Sequence, residues 1–241
     1  MDFDIPYFGL YGACSTAVEG IMLSAMVTSA GYFEVSAAVT SSHNSSAERQ
    51  YRTPIEYGGQ RPPTAQWTVT GAGAFIIGRG DGVRICEAMP GVVVEKGIND
   101  ANNMGAAMAP AAAHTLLRYF ETSGKSEEDF DLIVTGDLGA EGGSILCELM
   151  LREGHDLTKK YNDCGTMIYD IKKQDMHSGG SGCGCSAVVT GSYLIPRILR
   201  GQLSDVLVMG TGAMMSPSSI QQGEAIPAVA HLIRLCKPKG R

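Results

Sequence analysis

The spacing of apolar and polar positions lays out a regular succession of strands and helices. A strand is expected over 5–10. A helix follows over 14–29, where the apolar run "ACSTAVEGIMLSAMV" is stopped by Ala30-Gly31, glycine being the usual helix terminator. A strand follows over 34–40. Residues 41–66 are polar and proline-rich and read as a long loop, of a length that is usually functional. "WTVTGAGAFIIG" (67–78) and "VRICEAMPGVVV" (83–94) predict the next strands. The pattern then gives a helix over 110–122, a strand over 131–135, a helix over 140–153, a strand over 165–169, a helix over 182–199 and strands over 205–210 and 227–235. Strands alternating with helices indicate an α/β fold with a largely parallel sheet covered on both faces.

The pattern also repeats. A shift of 171 positions lays "CSTAVEG" (14–20) on "CSAVVTG" (185–191), and without gaps it carries Glu34-Val35 onto Asp205-Val206. A helix and its following strand thus occur twice at one spacing, which argues for two related halves.

Composition narrows the function classes. The net charge of −6 and the lack of a basic run before Lys237–Arg241 argue against nucleic acid as a partner. No apolar stretch is long enough to span a bilayer and no signal-peptide pattern follows Met1, so any membrane association is expected to be peripheral. Seven irregularly spaced cysteines suggest a reducing compartment rather than a disulfide framework.

Four places hold candidate chemistry. Cys14 falls at a helix N-terminus, where free N–H groups and the helix dipole favour a thiolate and can hold an oxyanion or a carboxylate. Equally, it is a small residue packed under the helix. In "DMHSGGSGCGCSA" (175–187), His177 precedes a glycine-rich turn into the repeated helix. It is either a base or donor toward an anion, or a ring satisfying a loop carbonyl. A zinc site from Cys164, His177, Cys183 and Cys185 is conceivable, but Cys-x-Cys lacks the usual paired spacing. Asp137 in "VTGDLGAEGG" follows a strand and precedes a helix, as a binding residue or as a turn former. The 41–67 loop carries His43, Arg49, Arg52 and Arg61 beside Tyr51, Tyr57 and Trp67. Arginine forks suit carboxylates and aromatic rings suit planar ligands; a solvated loop or a subunit contact is the alternative. The glycine-rich strand end "VMGTGAMMS" (208–216) lets backbone approach a ligand closely at Gly212.

Together these pieces resemble the thiolase superfamily of thiolases and β-ketoacyl synthases. That fold has two related βαβαβαββ halves, with the nucleophilic cysteine where Cys14 falls and a His-containing glycine turn where His177 falls. The runs "YFGLYGACST", "SSHNSSAERQYR", "QRPPTAQWTVTGAGA", "HSGGSGCGCSA" and "VMGTGAMMSPSSIQQGEAIPAVAH" resemble, more closely, the stage V sporulation protein AD family of spore-forming Firmicutes, from about Ile5 to about His231. The tail "LIRLCKPKGR" fits that family poorly. The resemblance implies a thiolase-like fold whose first half is shortened, with residues 1–80 the remainder of that half and 81–241 the second half. It implies a non-catalytic subunit that binds dipicolinic acid (pyridine-2,6-dicarboxylate) and acts in moving it, with calcium, into the developing spore. It implies integral membrane partner subunits, a homodimer, a peripheral place at the forespore or spore inner membrane, and no resident metal or cofactor. The ligand-binding set is expected to be Cys14, Ser15, His43, Arg49, Arg61, Asp137, His177 and Gly212, with backbone N–H groups at Cys14-Ser15 serving one carboxylate and His177 with an arginine serving the other.

Two departures from the superfamily bear on activity. No second cysteine stands in Val208–Gly212, and an acidic residue stands at Asp137 where the enzymes carry His or Asn. A carboxylate cannot donate a hydrogen bond to a thioester carbonyl unless it is protonated. The alternative remains an acyl-transferring enzyme using Cys14. The family's first two βα units should precede residue 5, so an exposed sheet edge, exposed apolar surface and dependence on a partner are expected.

Overall fold

A computed structural model describes residues 4–45 and 62–238. Arg49, Arg52, Tyr51, Tyr57 and Arg61 lie outside the described residues. The chain forms helices α1 (Thr16–Ser29), α2 (Met104–Ser123), α3 (Gly139–Arg152), α4 (Cys164–Met167), α5 (Cys183–Val189), α6 (Ile195–Leu199) and α7 (Pro217–Gln221). Its strands are β1 (Val35–Ser42), β2 (Trp67–Thr68), β3 (Gly71–Gly78), β4 (Arg84–Met89), β5 (Leu132–Thr135), β6 (Tyr161–Asp163), β7 (Gly180–Ser181), β8 (Asp205–Ala213) and β9 (Ala228–Cys236). A π-helical turn over Thr190–Leu194 joins α5 to α6 into one rod, as expected over 182–199.

The layers follow from which faces are apolar. A five-stranded sheet in the order β4-β9-β8-β5-β6 carries α2 and α3 on its outer face, where Met108, Leu116, Phe120, Phe130, Leu146 and Met150 pack on Leu207 and Met209. Each such fully buried side chain contributes roughly 1.5–3 kcal/mol. On the inner face, Val206 and Val208 meet Val18 and Ile21 of α1 and Cys185 and Val189 of α5. Beyond α1 and α5 lies the antiparallel pair β1–β3. The order is therefore sheet, helices, sheet, helices.

Several sequence expectations are corrected. The large sheet is mixed, not largely parallel: β5 pairs parallel with β6 and β8, while β9 runs antiparallel to both β8 and β4. Residues 5–10 form no strand, and no strand among the described residues pairs with them. The strand placed over 165–169 is helix α4, since the Asp163 side chain accepts the Gly165 N–H as an N-cap; the strand is the polar Tyr161–Asp163 before it. Helix α2 begins six residues before Pro110, which it accommodates in its interior. The strand expected over 83–94 ends at Met89, ahead of Pro90, and only Val94 rejoins the sheet, opposite Ala228. Cys86 and Cys236, 150 positions apart, are joined by a disulfide because β4 and β9 bring them side by side, against the reducing compartment that the irregular cysteine spacing suggests.

The repeat is real in element order but slips by one. Ala38 of β1 and Val208 of β8 both face the central helices, so the strands correspond at an even shift, such as 170. A shift of 171 sets an inward side chain on an outward one, since side chains alternate along a strand.

Candidate functional site

The site forms where the turn before α1 meets the end of β8 and the glycine turn before α5. The turn is tight. The Ser15 N–H and its side-chain hydroxyl both donate to the Gly12 carbonyl, at 3.0 and 2.6 Å, and the Thr16 N–H donates to the Ala13 carbonyl. Ala13 holds φ at +51°, a left-handed conformation that costs a non-glycine residue about 1–2 kcal/mol. A Cβ at Gly12 would stand 2.6 Å from the Ser15 hydroxyl and 2.6 Å from a Glu19 carboxylate oxygen, so those side chains would have to shift. That carboxylate oxygen is buried without a hydrogen-bond partner, and burial pushes the Glu19 pKa up.

Gly212 and Gly210 let this turn lie directly on β8. A Cβ at Gly212 would stand 2.3 Å from the Gly12 carbonyl oxygen, and one at Gly210 2.8 Å from Val18. The close approach predicted at Gly212 is thus made by the Cys14 turn itself.

Cys14 is half-buried and its Sγ lies 3.9 Å from the Ser181 hydroxyl oxygen. Behind Ser181 stands Asp137, fully buried. One of its carboxylate oxygens accepts the Thr211 hydroxyl at 2.7 Å; the other accepts the Gly182 N–H at 2.9 Å and the Ser181 hydroxyl at 3.2 Å. The Asp137 carbonyl accepts the Gln66 side-chain amide. Asp137 therefore ties three segments together. A second buried carboxylate, Asp163, accepts the Thr135 hydroxyl and the N–H groups of Leu138, Gly139 and Gly165. Burial, reinforced by the charge of Asp137 and opposed by the bonds from Thr135, Gly139 and Leu138, pushes the Asp163 pKa up to about 7.

The predicted residues divide accordingly. Cys14, Ser15, Asp137 and Gly212 come together around Ser181 and Thr211. His177 instead turns away: its Nδ1 lies 2.8 Å from the Pro62 carbonyl and its Nε2 3.4 Å from Asp175, so it satisfies a loop carbonyl. His43 is exposed and its Nδ1 meets the Ser45 hydroxyl. The Ser15 N–H, one of the backbone donors expected to serve a carboxylate, is already used by the turn. Arg49 and Arg61 lie outside the described residues. The zinc alternative fails, because Cys183 donates to the Ser41 carbonyl while His177 is held at Pro62. No group of three potential metal ligands occurs among the described residues. Ser181, Thr211, Gln66 and Glu19 were not predicted; only the tertiary packing reveals them.

A sequence profile of the family described as stage V sporulation protein AD matches residues 1–236. The stage V sporulation protein AD of Bacillus subtilis (strain 168) is 45% identical over 228 residues, which make up 94% of this chain and 67% of that protein. The chain belongs to the stage V sporulation protein AD family. The match runs through Cys236, beyond the His231 limit expected from sequence, so half of the tail expected to fit poorly lies within it. Membership gives the chain a role in sporulation. The fold is thiolase-like. 3-Oxoacyl-(acyl carrier protein) synthase III of Pseudomonas aeruginosa superposes with a TM-score of 0.57 at 14% identity, over 95% of this chain and 66% of that one. An OleA variant of Xanthomonas campestris superposes at 0.56 and 14% identity, over 93% of this chain and 63% of that one. The chain thus spans about two thirds of the length of these relatives. No helix among the described residues is long and apolar enough to cross a membrane.

Proposed function

We propose that the chain is the dipicolinate-binding part of a sporulation complex that moves dipicolinate, with calcium, into the developing spore, and that it performs no acyl transfer. The observation that carries this reading is the state of Asp137. Its carboxylate is saturated by Thr211, Ser181 and Gly182, and it stands where an acyl-transfer enzyme needs a donor. His177, at the position of the second catalytic group, is held by a loop carbonyl. A cysteine turn on a thiolase-like frame is retained without its partners, which suits a binding pocket derived from an enzyme's.

In this reading the half-buried Cys14 thiol, backed by the buried Ser181, serves one carboxylate of the ligand, and Arg49 or Arg61 serves the other. The acidic groups around the turn, Asp137 behind Ser181 and Glu19 against Gly12, disfavour a free dianion. They favour entry together with calcium, which neutralises it. The complex places the chain peripherally at the spore inner membrane beside integral membrane subunits, as a homodimer.

A second reading has one observation in its favour: the strained turn at Ala13 holds Cys14 as nucleophile turns hold their residue. Thermal shift separates the two. Dipicolinate should raise the melting temperature and pyridine-2-carboxylate should not, while acyl-CoA should leave both the melting temperature and the intact mass unchanged. An acyl adduct on Cys14 would overturn the binding reading.

A further inference from the structure

The Cys86–Cys236 bond lies at the opposite end of the large sheet from the Cys14 turn. Cys236 pairs with Asp205 at the start of β8, whereas that turn sits on Gly212 near its end. Cys86 belongs to β4, the outermost strand, and Cys236 ends β9. The residue of β4 opposite Cys236 is Arg84, and the pairing then skips Cys86, because the register shifts between Ile85 and Glu87. A bulge of this kind re-aims a side chain, and here it brings Cys86 to Cys236. Cys86 stays half-buried, while Cys236 is only 6% exposed.

Arg84 is the neighbour that gives this pair its chemistry. One of its terminal nitrogens donates to Cys86 Sγ at 3.1 Å, and its Nε is buried with no hydrogen-bond partner among the described residues. The carboxylates beside it are already taken: Arg234 binds both Glu87 and Asp205, and Lys125 and the Tyr119 hydroxyl also hold Glu87. A disulfide sulfur is a weak acceptor, so the guanidinium gains little from it. On a thiolate the same donor makes a charge-assisted bond. An accessible cysteine beside a fixed cation, with a buried cysteine in reach to resolve it, is the arrangement of a redox pair. The other thiols are set differently: burial pushes Cys147, Cys164 and Cys183 up, away from the thiolate.

We propose that Cys86 and Cys236 form a reversible thiol–disulfide pair, with Cys86 as the attacking thiol, Cys236 as the resolving one and Arg84 holding the Cys86 thiolate. Closing starts from two thiols and a glutathione-type disulfide. The Cys86 thiolate attacks that disulfide, forms a mixed disulfide and expels one glutathione thiolate. Cys236 then gives its proton to solvent and attacks Cys86 Sγ, which closes the bond and expels the second glutathione. The small disulfide takes the two electrons that the pair gives up. A dithiol reverses both steps: it attacks the accessible Cys86 Sγ, Cys236 leaves and takes a proton, and ring closure of the dithiol returns Cys86 as its thiolate. The tie between the edge strand and the strand that closes the sheet thus follows the redox poise around the protein. This accommodates a disulfide in a chain whose five other cysteines are free.

The test is pulsed alkylation of the native 241-residue chain after reduction with dithiothreitol, read by peptide mass spectrometry. Near neutral pH, Cys86 should react with iodoacetamide about tenfold faster than Cys147 or Cys183. Arg84→Gln should slow Cys86 about tenfold and move the pH midpoint of its alkylation upward, and Arg84→Lys should restore most of the rate. Oxidised glutathione added to Cys236→Ala should leave one glutathione on Cys86, while the parent chain should close its bond and keep none. Cys86 that reacts no faster than Cys183, or an Arg84→Gln rate equal to the parent's, overturns the proposal. So does a bond that dithiothreitol opens only once the chain has unfolded.

Discussion

Replacing Asp137 tests whether this carboxylate is a brace. In Asp137→Ala, three buried donors lose their acceptor at once: the hydroxyls of Thr211 and Ser181 and the N–H of Gly182. The two hydroxyls can rotate toward other acceptors, but the Gly182 N–H is fixed by the backbone. An unsatisfied buried donor costs about 1–3 kcal/mol, and lost bonds to a charged acceptor add to that, so the expected loss is about 2–4 kcal/mol. Asp137→Asn keeps the shape and one acceptor oxygen, and a hydroxyl can turn to accept from the new amide, so about 1–2 kcal/mol is expected. Urea denaturation followed by circular dichroism gives both values. A second signature accompanies them. The Asp137 charge is one of the causes holding Asp163 up at about 7, so both variants should lower the Asp163 titration midpoint. An Asp137→Ala protein within about 0.5 kcal/mol of the parent would refute the brace, because three buried donors cannot be abandoned at that cost.

Other substitutions and conditions give equally definite expectations. Gly212→Ala drives a Cβ to 2.3 Å from the Gly12 carbonyl, so the Cys14 turn must move; dipicolinate stabilisation should be lost while the melt stays cooperative. Gly142→Ala places a Cβ 2.7 Å from the Gly105 backbone, where α2 and α3 cross, and urea denaturation should show a loss of more than about 1 kcal/mol. For pH, Asp163 has a folded pKa near 7, above its unfolded value, so the stability it contributes is full below about pH 4 and is lost as pH rises toward 7; a carbon-13 titration of its carboxyl should show that midpoint. His231 has the opposite sign. Its Nδ1 accepts the Gly91 N–H and burial lowers its pKa below 6.5, so stability falls as pH drops through 6.5, and His231→Asn should flatten that slope in urea midpoints.

Much of this was legible in the sequence where local pattern and packing agree. Helix α1 and the rod over 183–199 follow from apolar runs closed by glycine, strand β1 follows directly on the first of them, and the Cys14 turn comes from its small residues. What stayed hidden depends on partners distant in the chain. Tyr161–Asp163 is polar and becomes a strand only because β5 offers its edge. Gly165–Tyr169 looks like a strand by residue type, yet the Asp163 cap turns its start into a helix. Gly105 and Gly142 look like helix breakers and are instead the contact that lets two helices touch. His177 was singled out for its glycine-rich setting, but the residue that faces Cys14 is Ser181, four positions on. Nothing in its neighbours distinguishes it from Ser178 or Ser186 until β7, β8 and the α1 turn converge.

The central claim is a pocket for dipicolinate at the Cys14–Ser181 contact. The most direct measurement is isothermal titration of the folded chain with dipicolinate, with and without calcium, and with pyridine-2-carboxylate as the one-carboxylate control. The account predicts saturable binding of dipicolinate, stronger with calcium, absent for the control and weakened at least tenfold in Ser181→Ala. Saturable binding of dipicolinate that Ser181→Ala leaves untouched, or no binding to a cooperatively folded chain, would contradict it.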